Sequence, residues 1–286
     1  MEKRNLMNGL EIPLIGLGAK GIWKENGQYN SKLVNEQYRI YEYAVKSHRC
    51  SLFDTSAAYG LNERILGEVL EYCNKREDVM IMSKVSNRAQ ERGDIRAALE
   101  KSLDALHTDY IDVYLLHWPY TDYYIETWKQ LEKIYEEGLV RAIGVCNCHI
   151  HHLNSLIEQC NIIPMVNEIE IHPLFTQQEI ISYCKERDIQ PIAYTPIARM
   201  HDVLINSKPI QELSHKYHKT PAQVILRWHY QKGYVAIPST LSRSHFDEMF
   251  EVEAFSISDE EIAWIDSLND NVRLRYNPDK CDFSRL

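Results

Sequence analysis

The chain has 286 residues, 44% hydrophobic and 26% charged, with 32 Lys plus Arg against 41 Asp plus Glu and a formal charge of −9. This is ample apolar material for a large core, and the acidic balance argues against nucleic acid as a partner. No run reaches the roughly eighteen apolar residues of a membrane span, and the opening Met-Glu-Lys-Arg-Asn lacks the apolar stretch of a secretion signal, so a cytoplasmic protein with no membrane partner is expected.

Residues 6–12, centred on Asn8-Gly9, carry the signal of a hairpin with a tight turn. Short apolar strands then alternate with amphipathic helical stretches. The strands are predicted at 14–18, 51–54, 79–84, 111–117, 142–147, 165–170, 191–194 and 235–238. Helices are predicted at 36–45, 94–106, 125–137, 150–160, 176–187 and 221–231. In the second of these, Ile95, Ala98, Leu99, Leu103 and Leu106 recur three and four apart and share one face. Eight strands alternating with helices match a closed (β/α)8 TIM barrel better than an open sheet. One domain over 1–286 is expected. A further helix at 259–268 leads into a polar tail, 269–286, placed to cover the barrel mouth.

Two local patterns invite other readings. Gly16-Leu-Gly18-Ala-Lys-Gly21 has the G-x-G-x-x-G spacing of dinucleotide-binding folds, but residues 22–31 carry Gly, Asn and Ser where an apolar-periodic helix must open. A tight turn at the first barrel strand is the expected role. Cys146-Asn-Cys148-His149-Ile-His151-His152 crowds five metal-ligating side chains into seven residues. A closed zinc site takes a second pair of ligands elsewhere, none is apparent, and no metal is expected. The seven cysteines, an odd number scattered over a long chain, read as reduced thiols.

In barrels of this kind chemistry sits at the C-terminal ends of the strands. There the sequence places Asp54 at the end of the second strand with Tyr59 just beyond it, Lys84 at the end of the third, and His117 at the end of the fourth with Trp118 following. Singly, such residues are often a helix cap, a solvated charge and a satisfied core histidine. Together they make chemical sense. An ammonium beside a phenol favours the phenolate and lowers its pKa from about 10, while the carboxylate keeps the lysine charged and aimed. His117 then steadies a substrate oxygen as negative charge develops. A proton donor beside a stabilised oxygen suits carbonyl reduction.

These residues lie in blocks that resemble the aldo-keto reductase family over nearly the whole chain. The blocks are Gly16-Leu-Gly18, Phe53-Asp54-Thr-Ser-Ala-Ala-Tyr59-Gly60, Ser83-Lys84-Val85, Asp109-Tyr-Ile-Asp-Val-Tyr-Leu-Leu-His117-Trp-Pro119, Gly144-Val-Cys146-Asn147, Val166-Asn-Glu168-Ile-Glu-Ile-His-Pro173, Ala193-Tyr194-Thr-Pro196 and Ile237-Pro238. The resemblance, nearest to bacterial 2,5-diketogluconate and methylglyoxal reductases, implies the barrel fold and a catalytic tetrad of Asp54, Tyr59, Lys84 and His117. It implies a small-molecule carbonyl substrate and a cofactor that is NADPH, with NADH the alternative. His117 excludes the family branch that reduces steroid double bonds, which has glutamate there.

By the same resemblance the nicotinamide stacks on Tyr194, with its carboxamide held by Cys146, Asn147 and Glu168. Cys146 replaces the usual serine and Glu168 the usual glutamine. An ionised carboxylate accepts but cannot donate, so binding is expected to survive in weakened form. The adenosine 2′-phosphate falls near Ser239, Thr240 and Arg243. Relatives use Lys at position 239 and Arg at position 245, where this chain has Ser239 and His245, and Arg243 is expected to compensate. Trp23 and Trp118 are candidate substrate walls, with Lys20, Met200, His201, Arg273, Arg275 and Tyr276 possible contributors. The alternatives to a general carbonyl reductase are a specialised biosynthetic ketone or imine reductase and a catalytically weak nicotinamide-binding subunit. A monomer or weak oligomer is expected.

Overall fold

The computed structural model describes residues 2–283. It opens with the expected hairpin: β1 (Lys3–Asn5) pairs antiparallel with β2 (Glu11–Pro13), and Gly9 turns the chain at φ +85° with its N–H on Leu6 O at 2.8 Å. β3 (Leu17–Gly18) starts the barrel. A second hairpin that the sequence reading did not place follows, β4 (Lys24–Glu25) with β5 (Gln28–Tyr29), turning on Asn26-Gly27 at φ +51° and +81°. This hairpin stands where a dinucleotide-binding fold has its first helix, so the three spaced glycines serve the barrel. A Cβ on Gly18 would lie 2.6 Å from Ile237 O, across the seam where the sheet closes.

α1 (Ser31–Ser47) begins five residues before the expected start at 36, because the Asn30 side chain accepts from the N–H groups of Lys32 and Leu33 at 3.1 and 3.2 Å. The chain continues through β6 (Leu52–Asp54), α2 (Asn62–Cys73), β7 (Met80–Val85), α3 (Asn87–Arg92), α4 (Ile95–Leu106), β8 (Ile111–Leu116), α5 (Tyr124–Glu136), β9 (Val140–Cys146) and α6 (Ile150–Gln159). It completes the barrel with β10 (Val166–Glu170), α7 (Gln178–Lys185), β11 (Gln190–Tyr194), α8 (Asp202–Ile205), α9 (Lys208–Tyr217), α10 (Pro221–Gln231) and β12 (Val235–Ala236). α11 (Arg243–Met249) and α12 (Asp259–Asp266) follow. α2, α3, α8 and α9 are absent from the predicted helices, although Ile65, Leu66, Val69 and Leu70 give α2 a buried face.

The eight strands β3, β6, β7, β8, β9, β10, β11 and β12 pair in that order, all parallel. The sheet closes on itself: Ala236 N–H donates to Leu14 O at 2.8 Å, and Gly16 N–H to Ala236 O at 2.9 Å. β8 is buried at every residue, as a strand covered on both faces must be. The tail crosses the C-terminal ends of the strands, its Leu274 and Arg275 N–H groups donating to the Glu170 carboxylate at 2.6 and 3.0 Å. Further along, Phe283 O accepts from Asn87 Nδ2 at 3.0 Å. The last residues of the expected tail, 284–286, lie outside the described residues. All seven cysteines are free, and among the described residues no helix is long and apolar enough to cross a membrane.

Candidate active site

Parallel register brings the strand ends to one rim. Asp54 ends β6 opposite Met82, and Lys84 lies two residues further along β7. Both are buried, Lys84 completely. Lys84 Nζ hydrogen-bonds Asp54 Oδ1, donates to Thr55 O at 3.0 Å, and lies 3.3 Å from Glu168 Oε2. Glu168 Oε2 is buried and ion-paired with Lys84, and among the described residues no aligned hydrogen-bond donor meets it. Tyr59 sits in the loop after β6, its ring 5.5 Å from Lys84 Nζ and edge-on to His117 at 5.6 Å between centroids. Gly60 shapes that loop at φ +65°, where any side chain would run into Ile22 O. The four side chains singled out in the sequence therefore converge.

Their electrostatics depart from expectation in one respect. The Tyr59 phenol was expected to be more acidic than usual; instead burial holds it well above its ordinary value. Lys84 pulls it down, but Asp54 and Glu168 push it up, and desolvation outweighs the ammonium. Tyr59 thus keeps its proton. Burial also drives His117 down to about 3, helped by Lys84 and Arg275, so the imidazole is neutral. Burial disfavours the charged Lys84 as well, yet Asp54 and Glu168 raise it well above its ordinary value and keep it an ammonium. Glu168 is pushed up to about 8 by burial and by Asp54, with Lys84 pulling back.

Ser56 is a residue that the sequence reading passed over. Its Oγ lies 3.3 Å from His117 Nδ1 and accepts from the Ala58 N–H at 3.1 Å. A hydroxyl placed so can donate to Nδ1, which leaves the proton of the neutral ring on Nε2. Its position two residues after Asp54 was the available signal.

The proposed nicotinamide positions line the next three strand ends. Cys146 ends β9 and pairs in register with Glu168 on β10, and both are buried. Asn147, at φ +58°, donates from Nδ2 to His117 O at 3.1 Å and accepts from Tyr194 OH at 2.6 Å. Beyond β12, Ser239 is exposed and Thr240 half-buried, with Thr240 Oγ1 accepting from Ser242 N–H at 3.0 Å. Arg243 is exposed, its guanidinium 5.0 Å from the Tyr43 ring.

At the mouth, Trp23 is 59% exposed and anchored by its Nε1–H on Ala58 O at 2.9 Å. Trp118 is only 7% exposed, between His117 and Phe283 of the tail. Met200 and Tyr276 are exposed. Lys20 points to solvent and uses its carbonyl to hold Asn62 Nδ2 at 2.9 Å. The two tail arginines part company: Arg275 acts on His117, while Arg273 lies 3.2 Å from His149 Nε2 and over Phe175.

The family model described as the aldo/keto reductase family matches residues 15–201 and 202–270. The chain belongs to the aldo/keto reductase family. Among its relatives, the glyoxal reductase of Bacillus subtilis (strain 168) is 40% identical over 97% of this chain and 96% of that protein. The methylglyoxal reductase DkgA of Escherichia coli (strain K12) is 36% identical over 96% of each. A crystal structure of an aldo-keto reductase complexed with NADPH aligns at a TM-score of 0.85 and 28% identity, over 95% of this chain and 89% of the other. As an aldo/keto reductase the chain is an oxidoreductase, and the barrel just described is the architecture it shares with that structure.

Proposed function

We propose that this protein reduces small dicarbonyl compounds of the glyoxal and methylglyoxal class with NADPH. The observation that carries the reading is the convergence of Tyr59, Lys84, Asp54 and His117 at one rim, with Tyr59 protonated and His117 neutral. The residues present fit a nicotinamide: Glu168 Oε2, which faces the Lys84 ammonium but meets no aligned hydrogen-bond donor among the described residues, the Asn147 amide and the Tyr194 ring form one row of strand ends beside that tetrad. A carboxamide N–H would give that oxygen an aligned donor. Ser239, Thr240 and Arg243 form the side that would hold a phosphate, with Arg243 as its cation.

When bound, the reduced cofactor supplies the two electrons and the hydrogen that reach the carbonyl carbon. The protein's share is the other half of the reaction. The His117 Nε2–H holds the substrate oxygen and orients the carbonyl. Tyr59 gives its phenolic proton to that oxygen as charge builds, with the fixed ammonium of Lys84 stabilising the phenolate left behind. Asp54 holds Lys84 in place through its hydrogen bond. Arg275 supplies positive charge at the mouth for the second oxygen of a dicarbonyl.

The relatives named for glyoxal and methylglyoxal support this substrate class. Oxidation of NADPH by glyoxal, methylglyoxal and simple aldehydes tests it. Turnover is expected, with the dicarbonyls giving the highest kcat/KM. Cofactor binding with no turnover on any member of the panel would make the protein a nicotinamide-binding subunit instead.

A further inference from the structure

We propose that His149, His151 and Asp279 form a site for a divalent transition-metal ion of the zinc or nickel kind, linking the tail to the start of α6. The sequence shows the histidines but not their partner, which lies 130 residues away. Folding separates the two kinds of ligand in the Cys-His run. Cys146 and Cys148 turn into the core, while His149, His151 and His152 meet Asp279.

Asp279 Oδ2 lies 2.8 Å from His149 Nδ1, and Oδ1 lies 3.3 Å from His151 Nε2. One ligand atom from each of the three histidines and Asp279 falls within 4.8 Å of the others. With metal–ligand bonds of about 2.0–2.2 Å, a tetrahedral ion needs its ligands about 3.4 Å apart, so side-chain adjustments suffice. His152 takes a different role. Its Nδ1 accepts the His149 N–H at 3.1 Å, which leaves its proton on Nε2, 3.8 Å from Asp279 Oδ1. With Nδ1 taken by the helix start, His152 stands beside the site without a hydrogen bond to the carboxylate.

Imidazole with one carboxylate suits zinc, nickel or copper better than magnesium or calcium. The His151 side chain is 62% exposed, and His149 and His151 border a groove with Phe175 and Gln177, so an ion has access. The competitor is also visible. Arg273 reaches His149 Nε2 at 3.2 Å, a contact that needs the proton on Nδ1, and binding metal at Nδ1 moves that proton to Nε2. Arg273 therefore opposes metal, and its removal should strengthen binding.

The test is titration of the EDTA-treated full-length protein with zinc chloride by calorimetry, and with cobalt(II) by absorption. One zinc per chain is expected, weakened at least about tenfold in His151→Ala and in Asp279→Asn and tightened in Arg273→Ala. Melting of these variants in EDTA at the wild-type temperature establishes that the fold is intact, since the side chains are partly exposed. Zinc bound equally well by the His151→Ala/Asp279→Asn double variant would overturn the site. So would a thiolate charge-transfer band in the cobalt spectrum, which would place the metal on cysteine.

Discussion

Lys84 Nζ lies 3.3 Å from Glu168 Oε2 while it hydrogen-bonds Asp54, so one buried ammonium is shared between two buried carboxyl groups. Because the ionised Glu168 raises the Tyr59 phenol, Glu168→Gln should make Tyr59 easier to deprotonate. Reduction needs the protonated phenol, so the alkaline limb of kcat/KM should move to lower pH in the variant. A pH profile of both proteins checks this; an unmoved limb, or one shifted upward, contradicts it. The same residue links stability to pH. Burial raises Glu168 to about 8, so the folded chain binds a proton that the unfolded chain releases above about 4.3. Stability from this group is present at low pH and lost as pH rises through about 8. The melting temperature of Glu168→Gln should therefore gain on the wild type between about pH 5 and pH 8.

The Ser56–His117 contact leads to a separate expectation. With the ring neutral and Nδ1 turned to Ser56, nitrogen NMR of labelled protein should show His117 protonated on Nε2 alone, with no titration between about pH 5 and pH 8. Ser56→Ala frees the ring to take the other tautomer and should lower kcat by about tenfold with little change in KM. A wild-type spectrum with the proton on Nδ1 would remove Ser56 from this role.

Arg243 bears on the choice of cofactor. As the cation near the proposed phosphate side, its replacement by Ala should weaken NADPH binding by about tenfold or more and leave NADH unchanged. Fluorescence titration with each cofactor reads this directly. Equal losses for both, or none for NADPH, would assign Arg243 to its stacking on Tyr43 alone.

Much of this was legible in the sequence because a parallel barrel converts strand ends into one rim. Asp54, Lys84 and His117 end predicted strands, and the fold brings them together with Tyr59. What sequence does not show is depth. The charges beside Tyr59 were visible, but burial, which reverses the direction of its shift, was not. Trp118 was placed at the mouth, where Phe283, far along the tail, packs against its ring. Asp279 joins the histidines only because the tail crosses the barrel, a contact no local pattern encodes. The missed second hairpin has the opposite cause: its Asn26-Gly27 turn is a local signal that resembles the one correctly read at Asn8-Gly9.

The claim on which the mechanism depends is that Tyr59 hands its proton to the substrate oxygen. Turnover of methylglyoxal with NADPH by Tyr59→Phe, with cofactor affinity measured on the same protein, tests it most directly. Loss of kcat by about a thousandfold with NADPH affinity retained is the predicted result. Turnover within about tenfold of the wild type would show that the proton comes from elsewhere.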